Sequence, residues 1–158
     1  MALASASLSG GLKSGWLPVD GGGYPSSAAE SADAFAGAVT SWFSAATAGP
    51  FPCATATARR SQLASAATPA LQAGTAAAAG AQLALALTGY LTGQVFGPGV
   101  ASAPLATSAA GGAITAAFAD VDQATSARAD QIALAVLTLA MSTIVIFPPV
   151  ISPPAPVT

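Results

Sequence analysis

The clearest hydrophobic pattern in the chain predicts a helix over residues 28–48. Ser27 followed by Glu30 is a capping-box pattern, in which the serine hydroxyl accepts a hydrogen bond from a free N–H at the helix start. Gly49-Pro50 ends the helix, because proline cannot continue it. Large apolar side chains recur at helical spacing and form one stripe, which predicts that they are buried. The stripe consists of Phe35, Val39, Trp42 and Phe43.

The Ala-rich middle of the chain predicts further helices. A short helix is expected from about Thr55 to Ala67. Thr68-Pro69 is typical of a helix start, so a second long helix is predicted from there to about Leu91. Residues 97–112 are predicted to form a loop, and a third long helix begins near Ala113. These Ala-rich stretches show no repeat of fixed period.

Both ends of the chain predict extended structure. Residues 1–25 are rich in Gly and Ser, and Trp16 and Tyr24 are their candidate anchoring side chains. From residue 142 the chemistry changes, because Thr143–Phe147 is β-branched and aromatic and the following prolines exclude a helix. The predicted fold is all-α. It has an extended arm over 1–25, a core of three main helices over 26–141, and a strand with a Pro-rich arm over 142–158.

Charge is scarce along the whole chain. Only 6% of the residues are charged, and residues 61–119 and 131–158 contain no Asp, Glu, Lys or Arg. Soluble domains contain about 25% charged residues. A nearly neutral, charge-poor surface favours association with other proteins. With four basic residues and a net charge of −2, the chain offers no electrostatic basis for binding nucleic acid.

The residue types that carry most enzyme chemistry are nearly absent. The chain has no His and one cysteine, Cys53, so neither a disulfide framework nor a nucleophile–base pair is expected. Asp120, Asp122 and Asp130 lack the surrounding loop pattern of a calcium site, and a solvated helix face is the favoured interpretation. We therefore expect no catalytic residue, no cofactor, no metal and no small-molecule substrate.

The C-terminal strand is the strongest candidate for an interaction site. Thr143–Phe147 has no evident partner strand in its own chain, and an isolated strand leaves main-chain groups unpaired. Pairing with a neighbouring subunit by strand addition would satisfy those groups. The predicted interface residues are Trp16, Tyr24, Ile144, Ile146, Phe147 and Val150.

The layout of the chain resembles that of small Ala-rich structural proteins of tailed-bacteriophage virions. The resemblance lies in the aromatic first helix from Phe35 to Phe43, the uncharged Ala-rich helices and the Pro-rich tail from Thr143 to Thr158. It implies a non-enzymatic part of the capsid, neck, tail or baseplate, assembled in the host cytoplasm. The implied partners are copies of the chain itself and other virion proteins.

The main alternative is a small integral membrane protein. Residues 132–147 are sixteen uncharged and strongly apolar residues, and residues 69–96 are long enough to span a bilayer. A spanning helix needs about 20 residues, and Pro148-Pro149 shortens the first segment. No Lys or Arg cluster flanks either segment to set its orientation.

Overall fold

Helices dominate the fold, and short β-hairpins connect or follow them. The computed structural model describes residues 3–18, 23–149 and 153–158. The prediction of an all-α fold is wrong, because two small antiparallel sheets accompany the helices. The helices are α1 (Ser5–Gly15), α2 (Ala28–Phe43), α3 (Arg60–Leu71), α4 (Ala76–Leu91), α5 (Thr107–Ala119) and α6 (Thr125–Met141). The strands are β1 (Thr47–Ala48), β2 (Phe51–Pro52), β3 (Val95–Phe96), β4 (Gly99–Ala101), β5 (Ile144–Ile146) and β6 (Ala155–Pro156).

Helix α2 begins as its sequence predicts. The Ser27 hydroxyl accepts a hydrogen bond from the Glu30 N–H at 3.1 Å. The Glu30 carboxylate accepts hydrogen bonds from the Ser26 hydroxyl and N–H, which hold the pKa of Glu30 below its usual value. In a capping box, the glutamate accepts a hydrogen bond from the N–H of the capping residue itself. Here Glu30 accepts instead from the N–H of Ser26, the residue before the cap. The predicted stripe of Phe35, Val39, Trp42 and Phe43 is buried, which confirms its core role.

Replacing Trp42 with alanine should lower the free energy of unfolding by roughly 3–5 kcal/mol. The indole is only 7% exposed, and its Nε1 donates a hydrogen bond to the Ala4 carbonyl oxygen at 2.9 Å. Urea unfolding followed by circular dichroism measures this loss. Tyr24→Ala is the control: Tyr24 is 61% exposed, so its variant should unfold within about 0.5 kcal/mol of the native chain. Equal midpoints for both variants would contradict the assignment of Trp42 to the core.

Three helix–hairpin units recur along the described residues, a structural repeat that the sequence does not predict. Leu83 of α4 lies 48 residues after Phe35 of α2, and Ile132 of α6 lies 49 residues after Leu83. All three side chains are fully buried. Few residues are identical between the units, but the same positions are buried in each unit. Further matching buried sets are Ala32, Gly80 and Ala129; Val39, Leu87 and Val136; and Trp42, Tyr90 and Leu139.

The six described helices form a closed ring. Each helix packs against the next in chain order, and α1 packs against both α6 and α2. Helices α3 and α5 follow the first and the second hairpin. Helix α1 occupies the corresponding position in the ring beside α6, whose hairpin is the third. The prediction of an extended arm over residues 1–25 is wrong, because Leu8 and Leu12 lie fully buried on one face of α1. Burial of that face stabilises a helix that its Gly- and Ser-rich sequence would not form alone.

A proline sits inside α3 and misled the prediction of the next helix start. Helix α3 continues through Pro69 to Leu71, and the Thr68 hydroxyl donates to the Ala64 carbonyl oxygen at 2.9 Å. Pro69 has no N–H to donate to the Ser65 carbonyl oxygen, so α3 loses one internal hydrogen bond shortly before it ends at Leu71. Helix α4 begins after Thr75, whose hydroxyl accepts from the Ala78 N–H at 3.2 Å.

The predicted third long helix is two helices, α5 and α6. Helix α5 begins at Thr107, inside the predicted loop, and ends at Ala119. Arg128, near the start of α6, donates to the Ala117 carbonyl oxygen at 2.9 Å and to the Asp120 carbonyl oxygen at 2.7 Å. These bonds satisfy carbonyl groups that a helix end leaves free, so they favour the break between the two helices.

The strands form a second ring. Strands β1 and β2 pair, and β3, β4, β5 and β6 form a four-stranded antiparallel sheet in that order. A bridge between Cys53 and Phe96 joins the sheets on one side, and mutual main-chain hydrogen bonds between Thr47 and Thr158 join them on the other. The first two hairpins turn at Gly49 and Gly97, whose φ angles of 58° and 56° favour glycine.

Candidate functional site

The outward side of the four-stranded sheet is apolar. Val95 lies opposite Val100, and Val100 lies opposite Ile146, so these side chains share one face. Ile144 lies two residues before Ile146 on that face and opposite Pro156. Residues on the other face are buried, among them Phe96, Ala101 and Val145. The sheet therefore covers the core with one face and presents the second to solvent.

Two further exposed apolar side chains lie where the sheet meets α6. The Leu105 N–H donates to the Ser142 carbonyl oxygen at 3.4 Å, which places Leu105 beside the residue after Met141. Leu105 is 82% exposed, Ile146 is 58% exposed and Met141 is 57% exposed. The segments 93–106 and 142–158 contain no charged residue. We define the outer sheet face as Val95, Val100, Leu105, Met141, Ile144, Ile146 and Pro156.

Strand β5 cannot accept a strand from a neighbouring subunit at either edge. It pairs with β4 on one side and with β6 on the other. The expectation that this segment lacks a partner in its own chain is therefore wrong. Strand β4 belongs to a hairpin some 45 residues before β5, and β6 follows β5 beyond a run of prolines. Neither pairing is evident from the sequence.

The outer edges of the sheet are also occupied. Beside β3, the Ala54 N–H donates to the Val95 carbonyl oxygen at 2.8 Å, and the Val95 N–H donates to the Thr55 hydroxyl at 3.0 Å. In β6, Pro156 has no N–H to offer. A partner that binds this sheet must therefore pack on its face rather than lengthen it.

The structure separates the interface residues that the sequence predicts. Ile144 and Ile146 belong to the outer sheet face, whereas Phe147 turns inward with its ring 5.3 Å from that of Phe51. Trp16 is buried, with its ring 4.9 Å from that of Phe35. Tyr24 is exposed and lies away from the sheet, with its hydroxyl 3.5 Å from that of Thr125. Val150 lies outside the described residues.

Sequence reasoning missed Val95 and Val100, which it placed at a helix end and in a loop. A signal was present, because Gly97-Pro98 separates two short apolar segments, as it would in a hairpin. The same dipeptide occurs 48 residues earlier, at Gly49-Pro50, which ends the predicted helix over residues 28–48. Each of the two dipeptides lies at the turn of a hairpin.

A buried polar cluster links the first hairpin to the second. Gln94 is fully buried; its Nε2 donates to the Tyr90 carbonyl oxygen at 2.9 Å, and its Oε1 accepts from the Thr55 hydroxyl at 2.6 Å. The Cys53 Sγ lies 3.5 Å from the same Oε1. Burial raises the pKa of the Cys53 thiol and that of the Tyr90 hydroxyl, so both groups stay neutral near pH 7. This chemistry favours a structural link over a reactive thiol.

A second polar group ties α1 to α6. Lys13 Nζ lies 2.7 Å from Asp130 Oδ1, and the Ser9 hydroxyl donates to the same carboxylate oxygen. The hydrogen bonds from Lys13 and Ser9 hold the pKa of Asp130 below its usual value. Within the described ranges, no group of three or more His, Cys, Asp or Glu residues is placed to hold a metal ion.

A groove of about 530 Å³ lies between α1 and α2. Small residues such as Gly11, Ser14, Gly37 and Ser41 line it, together with Trp42, and no titratable side chain does. Specific small-molecule sites combine apolar walls with a few directed polar groups. This groove is concave but has no charged or titratable side chain to orient a ligand, so the outer sheet face is the stronger candidate.

Searches of protein-family models, of curated proteins and of solved structures find no match to this chain. In the part of the chain that the structure describes, no helix combines the length and the hydropathy needed to cross a bilayer. The candidate site therefore rests on the geometry and chemistry of the chain itself.

Proposed function

We propose that this chain is a non-enzymatic structural subunit of a large symmetric assembly, most specifically a tailed-phage virion. The observation that carries the proposal is the outer sheet face, an uncharged apolar surface on an otherwise well-packed protein. Exposed apolar patches of this kind are typical of protein–protein interaction sites. The partners are copies of the chain and other virion proteins.

The charge distribution supports assembly. Residues 61–119 form an uncharged run that supplies α4, α5 and most of α3. Their exposed surface is built largely from Ala, Gly, Ser and Thr, and it adds almost no electrostatic repulsion between subunits. Interfaces of permanent complexes are likewise poor in charge at their centre.

The compositional resemblance to Ala-rich virion proteins supports the choice of a phage particle. A neck, tail, baseplate or capsid accessory position fits a small protein whose surface is suited to contact rather than catalysis. Density-gradient fractionation of the native source tests this choice. The chain should co-sediment with DNA-containing particles and stay with them after mild detergent. Recovery in a lipid fraction that detergent dissolves would contradict it.

Expressed alone, the chain should associate as its concentration rises. The exposed apolar side chains favour contact, and a net charge of −2 provides little repulsion. Analytical ultracentrifugation from about 1 to 100 μM, a range that brackets a contact of moderate affinity, should show the mean mass rising. A strict monomer over the whole range would count against self-association, and the particle experiment would then test assembly with other proteins.

A further inference from the structure

We infer that the outer sheet face binds the same face of a second copy of this chain around a twofold axis. This inference rests on the proposed role in assembly and names the first contact. It concerns packing of one sheet on another, since hydrogen bonds and a proline occupy the sheet edges. In a twofold contact both subunits use the same patch, so the patch must complement itself.

The chemistry of the face selects its partner. A basic or acidic partner would lose the hydration of its charges against this surface and gain no ion pair, which is unfavourable. An uncharged apolar surface has no such cost, and the chain itself carries one. Self-pairing therefore satisfies the complementarity that the face demands, with Val100 and Ile146 at its centre.

The size of the face sets the expected strength of the contact. Five of its seven side chains are between 40% and 82% exposed, and the largest apolar patch on a typical monomer exposes about 300–600 Å². A stable interface buries about 800 Å² on each partner. Exposed Pro148, Pro149, Pro153 and Pro154 lie at the sheet border and can supply part of the difference. We therefore expect a concentration-dependent dimer rather than a permanent one.

The sheet geometry allows such a contact. The face consists mainly of β-branched side chains, which are stiff and lose little rotamer freedom when they are covered. Two sheets pack about 10 Å apart when their side chains interdigitate. Ile144, Ile146 and Val100 stand on adjacent strands and present such a surface.

A matched pair of variants tests the inference. Ile144→Thr/Ile146→Thr keeps β-branched residues in β5 and removes apolar surface, so the fold should persist. Sedimentation should show at least a tenfold weaker dimer. The control, Val121→Thr/Leu134→Gln, removes apolar groups that are 82% and 57% exposed, away from the sheet, and should dimerise like the native chain. Circular dichroism confirms that each variant is folded.

Crosslinking provides a second measurement that does not depend on weakened binding. In a Cys53→Ser background, Ile146→Cys should form an intermolecular disulfide readily, whereas Val121→Cys should not. Equal dimerisation of both double variants, together with equal crosslinking of both cysteines, would overturn the inference. Binding of the monomer to uncharged phosphatidylcholine vesicles without self-association would also overturn it and would assign the face to lipid. Co-sedimentation with particles is a separate readout, so either result leaves the proposed function independently testable.

Discussion

Replacing Gly80 with alanine should lower the free energy of unfolding by about 3 kcal/mol, through overpacking of a buried helix contact. A Cβ at this position would lie 2.5 Å from the Thr115 nitrogen and 2.7 Å from its Cα. Because these are main-chain atoms, no side-chain rotation can relieve the clash. Helices α4 and α5 would have to separate, and their close contact continues at Gly111 and Ala84.

Gly89 in the same helix provides the matched control. An added Cβ there would meet no atom within 4 Å, and the position is exposed. Gly89→Ala should therefore raise the free energy of unfolding by about 0.5–1 kcal/mol, because alanine has the higher helix propensity. Urea unfolding at a concentration below self-association measures both variants. A Gly80→Ala variant as stable as Gly89→Ala would show that α4 and α5 are not in close contact at Gly80.

The sequence predicts α2 correctly because its signals are local. The cap at Ser27 and the stripe from Phe35 to Phe43 lie within one helix, and each indicates the same element. Helix α1 has no such signal, because Leu8 and Leu12 lie among Gly and Ser, and contacts with α2 and α6 stabilise the helix. The prediction failed where long-range contacts decide the structure.

The hairpins were missed for a related reason. Their strands are two or three residues long, too short for an alternating pattern to be visible. In the candidate site, Ile144 and Ile146 were found because β-branched residues stand together there. Pairing between strands that are distant in the sequence brings further residues beside them, namely Val95, Val100 and Pro156.

Helix α1 closes the ring, so deleting residues 1–17 should unfold the chain. The deletion removes the buried side chains of Leu8, Leu12 and Trp16 and leaves Phe35 without its aromatic neighbour. Truncating a single buried residue of this size costs about 2–5 kcal/mol. The combined loss from three such residues is comparable to the whole free energy of unfolding of a typical domain, about 5–15 kcal/mol. Circular dichroism should show that helix content falls well beyond the share of α1.

Moving the same residues to the other end should restore the fold. In a variant where residues 1–17 follow residue 158, residues 157–158 and 1–4 would connect β6 to α1. That connection has six residues, whereas residues 53–59 and 102–106, which precede α3 and α5, have seven and five. Helix α1 would then follow its hairpin as α3 and α5 do, and the ring contacts would be kept. Recovery of cooperative unfolding would establish that α1 belongs to the third unit; a rearranged chain as unfolded as the deletion would show that α1 depends on its link to α2.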